Sequence, residues 1–272
     1  GKKLNVNGYT ITNDLVSATI SDTTGELTSF VFKGEEMLTS PIRLDLFRAP
    51  TDNDNRDRFG SKHWYAAGLD SLKQQVKDIK LTGTGNNRVV ETTVDLINSK
   101  NVKTGTSSFI YTIKKDGTLH IGATYTPDTS VVKSLARVGI TFAMPDQFYQ
   151  VSYLGRGEHE TYADRKQSGR IGVYETTVPA MYHAYITPQA TGNRTDTRWV
   201  NLSDEQGRGL YINSIKPFEF SALPYNDRVI DNATHLNYLV EDGAVTVHLD
   251  AVQSGVGTAT CGPGVQESYR VP

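Results

Sequence analysis

The chain has 272 residues and a mass of 30.0 kDa, enough to bury a sizeable core in one large all-β domain or two ordinary ones. Its 28 basic and 30 acidic side chains give a net charge of −2, which excludes the basic surface of a nucleic-acid-binding protein. A single cysteine excludes a disulfide framework and a four-thiolate metal site, and no apolar run approaches the roughly 20 residues of a membrane-spanning helix.

Alternating apolar and polar residues, separated by turn residues, dominate the chain and predict strands. A hairpin is predicted over residues 15–34, around the turn Asp-Thr-Thr-Gly. A second hairpin is predicted over residues 107–127, with Asp116-Gly117 as a two-residue turn. Further strand candidates are, in chain order, NRVVETTVDLI (87–97), RVGITFAMP (137–145), GLYINSI (209–215), THLNYLVEDG (234–243) and AVTVHLDAV (244–252).

One segment predicts a helix: in residues 63–79, Leu69, Leu72 and Val76 recur at spacings of three and four. Ten or more strands with almost no helix predict an all-β fold, a sandwich of large antiparallel sheets with at most one or two short helices. Since no low-complexity linker interrupts the chain, we expect a single domain over residues 1–272. The opening GKKLNV and the closing SYRVP lead us to expect a piece excised from a longer chain or complex.

The acidic run RAPTDNDNRDR, residues 48–58, raises the question of a calcium loop. Asp52 and Asp54 fit the first two oxygen ligands of such a loop, but Arg56 occupies the third ligand position. We therefore expect Asx-type turns that cap a loop and pair with one of the three arginines of this run.

A second polar run, YLGRGEHETYADR at residues 153–165, contains Glu158, His159 and Glu160. Carboxylates beside a histidine could be an acid–base pair for sugar chemistry. Neighbours on a strand point to opposite faces, however, so proximity in sequence does not show that they converge. We favour a structural interpretation, a glycine-permitted bend with a buried Glu–Arg pair.

His248 and Asp250 lie two residues apart on a predicted strand and so share a face, which fits a positioned imidazole or an ordinary surface pair. The one cysteine, Cys261, lies in the glycine-rich run SGVGTATCGPG, residues 254–264, which predicts an irregular loop. A nucleophilic cysteine needs a nearby base and an electropositive setting. No partner is identifiable in the sequence, so we favour a small apolar residue that lines a surface.

Four motifs occur in this order along the chain: FRAPTDND (47–54), YLGRGEHETYADR (153–165), TPQATGNRTDTRWV (187–200) and HLDAVQSGVGTATCGPGV (248–265). Together they resemble the C-terminal small domain (small chain, domain 5) of bacterial β-galactosidases of glycoside hydrolase family 2. The resemblance covers nearly the full chain and implies a β-supersandwich similar in fold to galactose mutarotases. Phe47, Glu158 and Ala190 depart from the family pattern. Phe47 keeps an aromatic residue at its position, whereas Glu158 and Ala190 weaken the carry-over of any sugar contact to their two loops.

In that family two glutamates and a magnesium site on a TIM-barrel domain do the chemistry, and the motifs that bear them are absent here. The resemblance therefore implies a non-catalytic part of an enzyme that hydrolyses terminal β-D-galactosides, with no catalytic residue, metal or cofactor of its own. Its implied partners are the catalytic domain or large subunit and the galactoside. The position matching Cys261 lines the sugar pocket in the family and is a tryptophan in one branch, so we expect Cys261 to line that pocket.

Two other classes of function stay open. One is a stand-alone aldose 1-epimerase-like enzyme, which requires a histidine and a glutamate on one concave face. Its candidates are His159, His183 or His248 with Glu160. The other is an autonomous carbohydrate-binding module, which presents exposed aromatic rings such as those of Trp64 or Trp199.

Overall fold

The computed structural model describes residues 1–272 and confirms the predicted all-β class. Sixteen strands are joined by four α-helices of four to six residues, short as expected but more numerous than one or two. No helix has the length and apolar character that crossing a membrane requires. Contacts divide the chain into a first unit, Gly1–Leu44 with Ala67–Val132, and a second unit, Asp45–Ala66 with Lys133–Pro272. The single domain over residues 1–272 stays a prediction.

Two antiparallel sheets form the first unit. One has the order β1-β2-β3-β4-β6, with the short β5 paired to β4, and the other has the order β10-β9-β8-β7. The strands are β1 (Asn5–Asn7), β2 (Thr10–Thr12), β3 (Val16–Ile20), β4 (Leu27–Phe32), β5 (Glu35–Glu36), β6 (Ser40–Asp45), β7 (Lys73–Gly83), β8 (Asn87–Ile97), β9 (Lys103–Lys114) and β10 (Leu119–Pro127).

The core of the first unit lies between the buried faces of these two sheets, as the alternation predicts. Val90 and Val94 on β8 are fully buried, and so is Tyr111 on β9. The Tyr111 hydroxyl donates to the carbonyl of Gly25 at 2.8 Å, and a Cβ on Gly25 would lie 2.7 Å from Val94. Both predicted hairpins are confirmed, although residues 115–118, rather than two residues, connect β9 to β10.

The helix predicted over residues 63–79 is wrong in its second half. An α-helix, α2, spans only Ser61–Ala66, a 3-10 turn follows at Leu69–Ser71, and the chain then enters β7. Gly68 has a φ of +68°, a left-handed conformation that ends the helix. Beyond it, pairing of β7 along the length of β8 overrides the helical spacing.

The second unit contains one antiparallel sheet of order β11-β16-β15-β14-β12-β13. The strands are β11 (Arg137–Pro145), β12 (Gln150–Gly157), β13 (Arg170–Thr177), β14 (Arg194–Ser203), β15 (Gly209–Leu223) and β16 (Ala244–Gln253). The helices are α1 (Asp52–Arg56), α2, α3 (Val178–Met181) and α4 (Asp227–Asn232).

The strand predicted over residues 234–243 is wrong. The segment holds a 3-10 turn at Leu236–Tyr238 and no strand. Its apolar residues are exposed, Tyr238 at 59% and Val240 at 69%, so their alternation faces no core. Alternation is a strand signal only where one face is buried against a neighbour.

Candidate functional site

Cys261 lies in the loop that follows β16, on the surface of the second unit. The segment 254–264, which we call the Cys261 loop, contains no strand, and the cysteine is free and exposed. The Cys261 amide donates to the Thr258 carbonyl at 3.0 Å, which closes a tight turn around it. The predicted irregular loop is therefore present, whereas the role of Cys261 in a sugar pocket stays a prediction.

Side chains of the acidic run 48–58 hold the Cys261 loop from one side. Arg48 donates through Nη1 to the Ser254 carbonyl at 2.7 Å and through Nη2 to the Gly255 carbonyl at 2.9 Å. Asn53 accepts from the amide of Thr260 at 2.9 Å and donates to the carbonyl of Gly257 at 2.9 Å. These contacts fix the loop backbone at its first two glycines, Gly255 and Gly257, and at Thr260.

Two further carboxylates hold the same loop. Asp164 accepts from the amides of Val256 at 3.0 Å and Gly257 at 2.8 Å. A Cβ on Gly255 would lie 2.5 Å from the Asp164 carboxyl group, so the close approach requires glycine there. Asp57 accepts from the amide just after the loop, that of Val265, at 2.8 Å. The polar runs 48–58 and 153–165 therefore position the Cys261 loop.

Arg48 is the most completely buried of these anchors, with no exposed surface. It makes five hydrogen bonds, including two to Asp54 at 3.0 and 2.7 Å and one to Gln253 at 3.1 Å. Its guanidinium also lies 5.6 Å from the ring centre of Trp64. Burial alone would lower the pKa of Arg48, but the Asp54 carboxylate raises it above its ordinary value.

The capping interpretation of residues 48–58 is confirmed. Thr51 caps α1 and forms a reciprocal capping box with Asp54, which also binds Arg48. Asp54 is buried and its oxygens are committed to these donors, while Asp52 is exposed. The run therefore folds as a capped helical turn.

Glu160 is buried, but the predicted Glu–Arg pair is a minor part of its surroundings. Its Oε2 accepts from the Thr191 hydroxyl and the Gly192 amide, both at 2.8 Å, and its Oε1 accepts from the Tyr185 hydroxyl. The Arg165 guanidinium is 4.0 Å away and more than half exposed. Hydroxyl and backbone donors, rather than an arginine, therefore neutralise the cost of burying this carboxylate.

His248 and Asp250 are buried in an ionic cluster, so the surface-pair interpretation is wrong. His248 Nδ1 lies 2.7 Å from Asp45 Oδ2 and its Nε2 lies 3.4 Å from Asp227 Oδ2. Arg137 donates to the same Asp45 oxygen at 3.1 Å and lies 3.7 Å from Asp250. Asp45 thus positions the imidazole and shares its charge with two cationic groups.

The pKa values of this cluster follow from burial and from the shared cations. Burial raises the pKa of Asp45, but Arg137 and His248 outweigh it and hold the pKa at about 2. Burial raises the pKa of Asp250 to about 6. Candidate metal-ligand atoms of Asp45, Asp227 and His248 lie within 4.8 Å of one another. A divalent ion placed there would meet the Arg137 guanidinium that already binds Asp45, so the geometry favours an ionic network.

The structure brings together three of the residues considered for epimerase chemistry. His159, His183 and Glu160 line one pocket of about 240 Å³ beside α3, whereas His248 is not among its lining residues. We call this the histidine pocket; its other polar lining residues are Glu158, Thr176, Tyr182 and Arg194. Sequence reasoning missed Tyr182 and Arg194, because no motif or spacing linked either residue to the histidines.

The aromatic residues named for a binding module behave differently from each other. Trp64 is 2% exposed and packs edge-on against Phe47, so it cannot stack on a sugar. Trp199 lies 5.9 Å, centre to centre, from Tyr211, whose side chain is 60% exposed. Of the two tryptophans, only Trp199 stays available to the binding-module alternative, together with exposed tyrosines such as Tyr211 and Tyr238.

Known proteins similar to this chain are β-galactosidases. A family model described as "Beta galactosidase small chain" matches residues 12–272. A β-galactosidase of Priestia megaterium is 30% identical over 251 residues, covering 91% of this chain and 23% of that protein. A β-galactosidase of Vibrio cholerae is 32% identical over 243 residues, covering 86% of this chain and 23% of that protein. Among solved structures, an Aspergillus nidulans amine oxidase matches 92% of this chain and 49% of the oxidase chain. The sequence identity is 12% and the TM-score is 0.33.

Proposed function

Because this chain belongs to the β-galactosidase small-chain family, we propose that it is the non-catalytic C-terminal domain or small chain of a β-galactosidase of glycoside hydrolase family 2. The parent enzyme would hydrolyse terminal β-D-galactosides. The chain spans 23% of the length of the two β-galactosidases described above, so most of such a parent lies outside it. In this proposal the catalytic glutamates and a magnesium site belong to that other part, and the fold is a mutarotase-like β-supersandwich.

The observation that carries the proposal is an exposed thiol on a loop whose backbone is held from several sides. Arg48, Asn53 and Asp164 fix the loop, and Cys261 at its tip is left free. Residues that complete another domain's pocket need such rigid support, because small displacements weaken binding. In the proposed assembly Cys261 forms a small, polarizable wall against the galactoside. Retaining hydrolysis itself needs two carboxyl groups roughly 5 Å apart, which the partner supplies.

Cys261→Trp in the assembled parent enzyme is expected to lower KM for a β-galactoside several-fold, up to about tenfold or roughly 1.4 kcal/mol. The indole would offer a flat apolar platform to the sugar ring, where the thiol offers a narrow contact. Since Cys261 is exposed, the thermal stability of the small chain should stay unchanged. Steady-state kinetics and a thermal melt measure the two quantities.

His120→Trp is the matched control, because it places the same indole on the exposed edge of β10 in the first unit. It should leave kcat and KM unchanged. If Cys261→Trp and Cys261→Ala also leave both constants unchanged in an active assembly, the thiol does not line the pocket and this part of the proposal fails.

The second candidate, an aldose 1-epimerase-like enzyme, is favoured by the histidine pocket alone. A general base must have a free carboxylate oxygen within reach of the hydroxyl proton that it removes. Glu160 does not fit that role well, because Tyr185, Thr191 and Gly192 already donate to it. The pocket therefore has histidines but its buried glutamate serves as a structural acceptor.

We expect the chain to leave the interconversion of α- and β-D-galactose at its spontaneous rate. Proton NMR of freshly dissolved α-D-galactose, with and without the chain, follows the two anomeric signals directly. Acceleration that is lost in His183→Ala would contradict this expectation and make epimerisation the function. Acceleration that persists in His183→Ala but is lost on heat denaturation would place the activity at a different residue of the folded chain.

A further inference from the structure

We propose that the histidine pocket binds a single neutral sugar ring. None of its lining residues belongs to the Cys261 loop, so the inference goes beyond the proposed function and does not depend on it. It rests on two buried polar groups, of which one lacks a counter-ion and the other a hydrogen-bond partner, on the charges in the walls and on the size of the pocket.

Arg194 provides the first of these groups. It is 4% exposed, and it donates through Nε to the Tyr153 hydroxyl at 2.9 Å and through Nη1 to the Gly192 carbonyl at 2.9 Å. No carboxylate forms an ion pair with the guanidinium, whose further contacts are the Asn193 carbonyl at 3.5 Å and the Tyr153 ring, with its centre 5.9 Å away. A buried cation without a counter-ion is destabilising unless polar groups solvate it. These groups solvate Arg194 in part, and an oxygen acceptor in the pocket that it lines would stabilise it further.

Tyr182 provides the second group. Its hydroxyl is buried and lacks a hydrogen-bond partner, and burial raises its pKa above the ordinary value. A phenol can both donate and accept, so it can bind either side of a sugar hydroxyl. Its ring packs edge-on against Tyr225 with centres 5.1 Å apart, which fixes the direction of the hydroxyl.

Other lining residues offer hydrogen-bond acceptors. Glu158 is exposed, and His183 presents its ring edge beside Tyr185, with centres 4.4 Å apart. His159 uses Nε2 to contact the Ser168 hydroxyl at 2.9 Å, which leaves Nδ1 for another partner. Donors and acceptors in one pocket match the hydroxyl groups of a polyol, each of which can both donate and accept.

Charge and size narrow the ligand class. Glu160 is already bound by three donors, so the free charges in the walls are those of Glu158, which repels an anion, and Arg194, which repels a cation. A neutral molecule avoids both costs. The volume of about 240 Å³ lies just below the roughly 300–1,000 Å³ of drug-sized ligand sites, which fits one sugar ring rather than a disaccharide.

The test is a titration of the ¹⁵N-labelled 272-residue chain with D-galactose, with D-galacturonate as the charged analogue of the same ring. We expect saturable shifts from α3 and residues 158–160, with galactose bound more tightly than galacturonate. Tyr182→Phe removes one hydroxyl and should weaken galactose binding about fivefold, and His183→Ala should weaken it similarly. Tyr211→Phe, the same chemical change at an exposed tyrosine, should have no effect.

Tyr182→Phe keeps the aromatic ring, and His183→Ala changes an exposed side chain, so thermal melts should show both variants folded. Several outcomes would overturn the inference. These are no saturable binding, tighter binding of galacturonate than of galactose, and binding that survives both Tyr182→Phe and His183→Ala. Binding that is lost in Tyr211→Phe or Cys261→Ala would equally overturn it, since the sugar would then occupy the aromatic face or the Cys261 loop.

Discussion

Arg48→Ala should lower the free energy of unfolding by about 3–5 kcal/mol. The substitution leaves Asp54, which is 3% exposed, as a buried carboxylate without its cation. It also removes the donors to the carbonyls of Ser254 and Gly255, so the Cys261 loop loses its attachment to the acidic run at these two residues, while the Asn53 contacts remain. Urea unfolding at neutral pH measures the first effect, and amide hydrogen exchange over residues 254–265 measures the second.

Arg48→Lys separates charge from geometry. Lysine keeps the positive charge but cannot form the two-pronged contact with Asp54 or reach the other acceptors at once, so we expect an intermediate loss. Lys77→Ala is the control, because Lys77 is 55% exposed, pairs with Asp95 at 3.8 Å and should change stability by less than about 0.5 kcal/mol. A loss below about 1 kcal/mol for Arg48→Ala, or unchanged exchange in the Cys261 loop, would contradict the anchoring role.

Much of the strand content could be predicted from the sequence, because alternation and burial coincide. Residues 87–97 form β8 without any change of bounds, and residues 137–145 form β11. The helix prediction fails where the same residues fit both a helical and a strand periodicity. Leu69, Leu72 and Val76 have helical spacing, yet Gln74 and Val76 also lie two apart, and pairing with β8 decides in favour of a strand.

The site was harder to predict than the fold, because its contacts join residues that are distant in the chain. The motifs identified the segments that converge, but Arg48 meets Ser254 from 206 residues away and Asp45 meets His248 from 203 residues away. No spacing rule relates such positions. Asp45 and Arg194 therefore looked like ordinary polar residues, and their chemistry depends on burial that the tertiary structure alone creates.

The second large effect is expected at Asp45. Asp45→Asn should lower the free energy of unfolding by about 3 kcal/mol at pH 7, because it removes the charge that holds Arg137 and His248 in a buried site. The folded-state pKa of about 2 lies below the ordinary 3.8, so this carboxylate stabilises the fold above pH 3.8 and loses that contribution as the pH falls toward 2. Urea unfolding at pH 7 and pH 2 measures the difference.

The difference in the free energy of unfolding between the native chain and Asp45→Asn should accordingly become smaller in acid, by about 2 kcal/mol between pH 7 and pH 2. Asp78→Asn serves as the control, because Asp78 is 59% exposed beside Lys80 and should behave like the native chain at both pH values. A difference that does not change with pH would mean that the shape of the Asp45 side chain, rather than its charge, stabilises the cluster.

Asp250 can compensate for part of the charge that Asp45→Asn removes, because it lies 3.7 Å from Arg137. Burial raises the pKa of Asp250 to about 6, so its carboxyl group is ionised at pH 7. That compensation would make the measured loss smaller than for a cation left with no carboxylate.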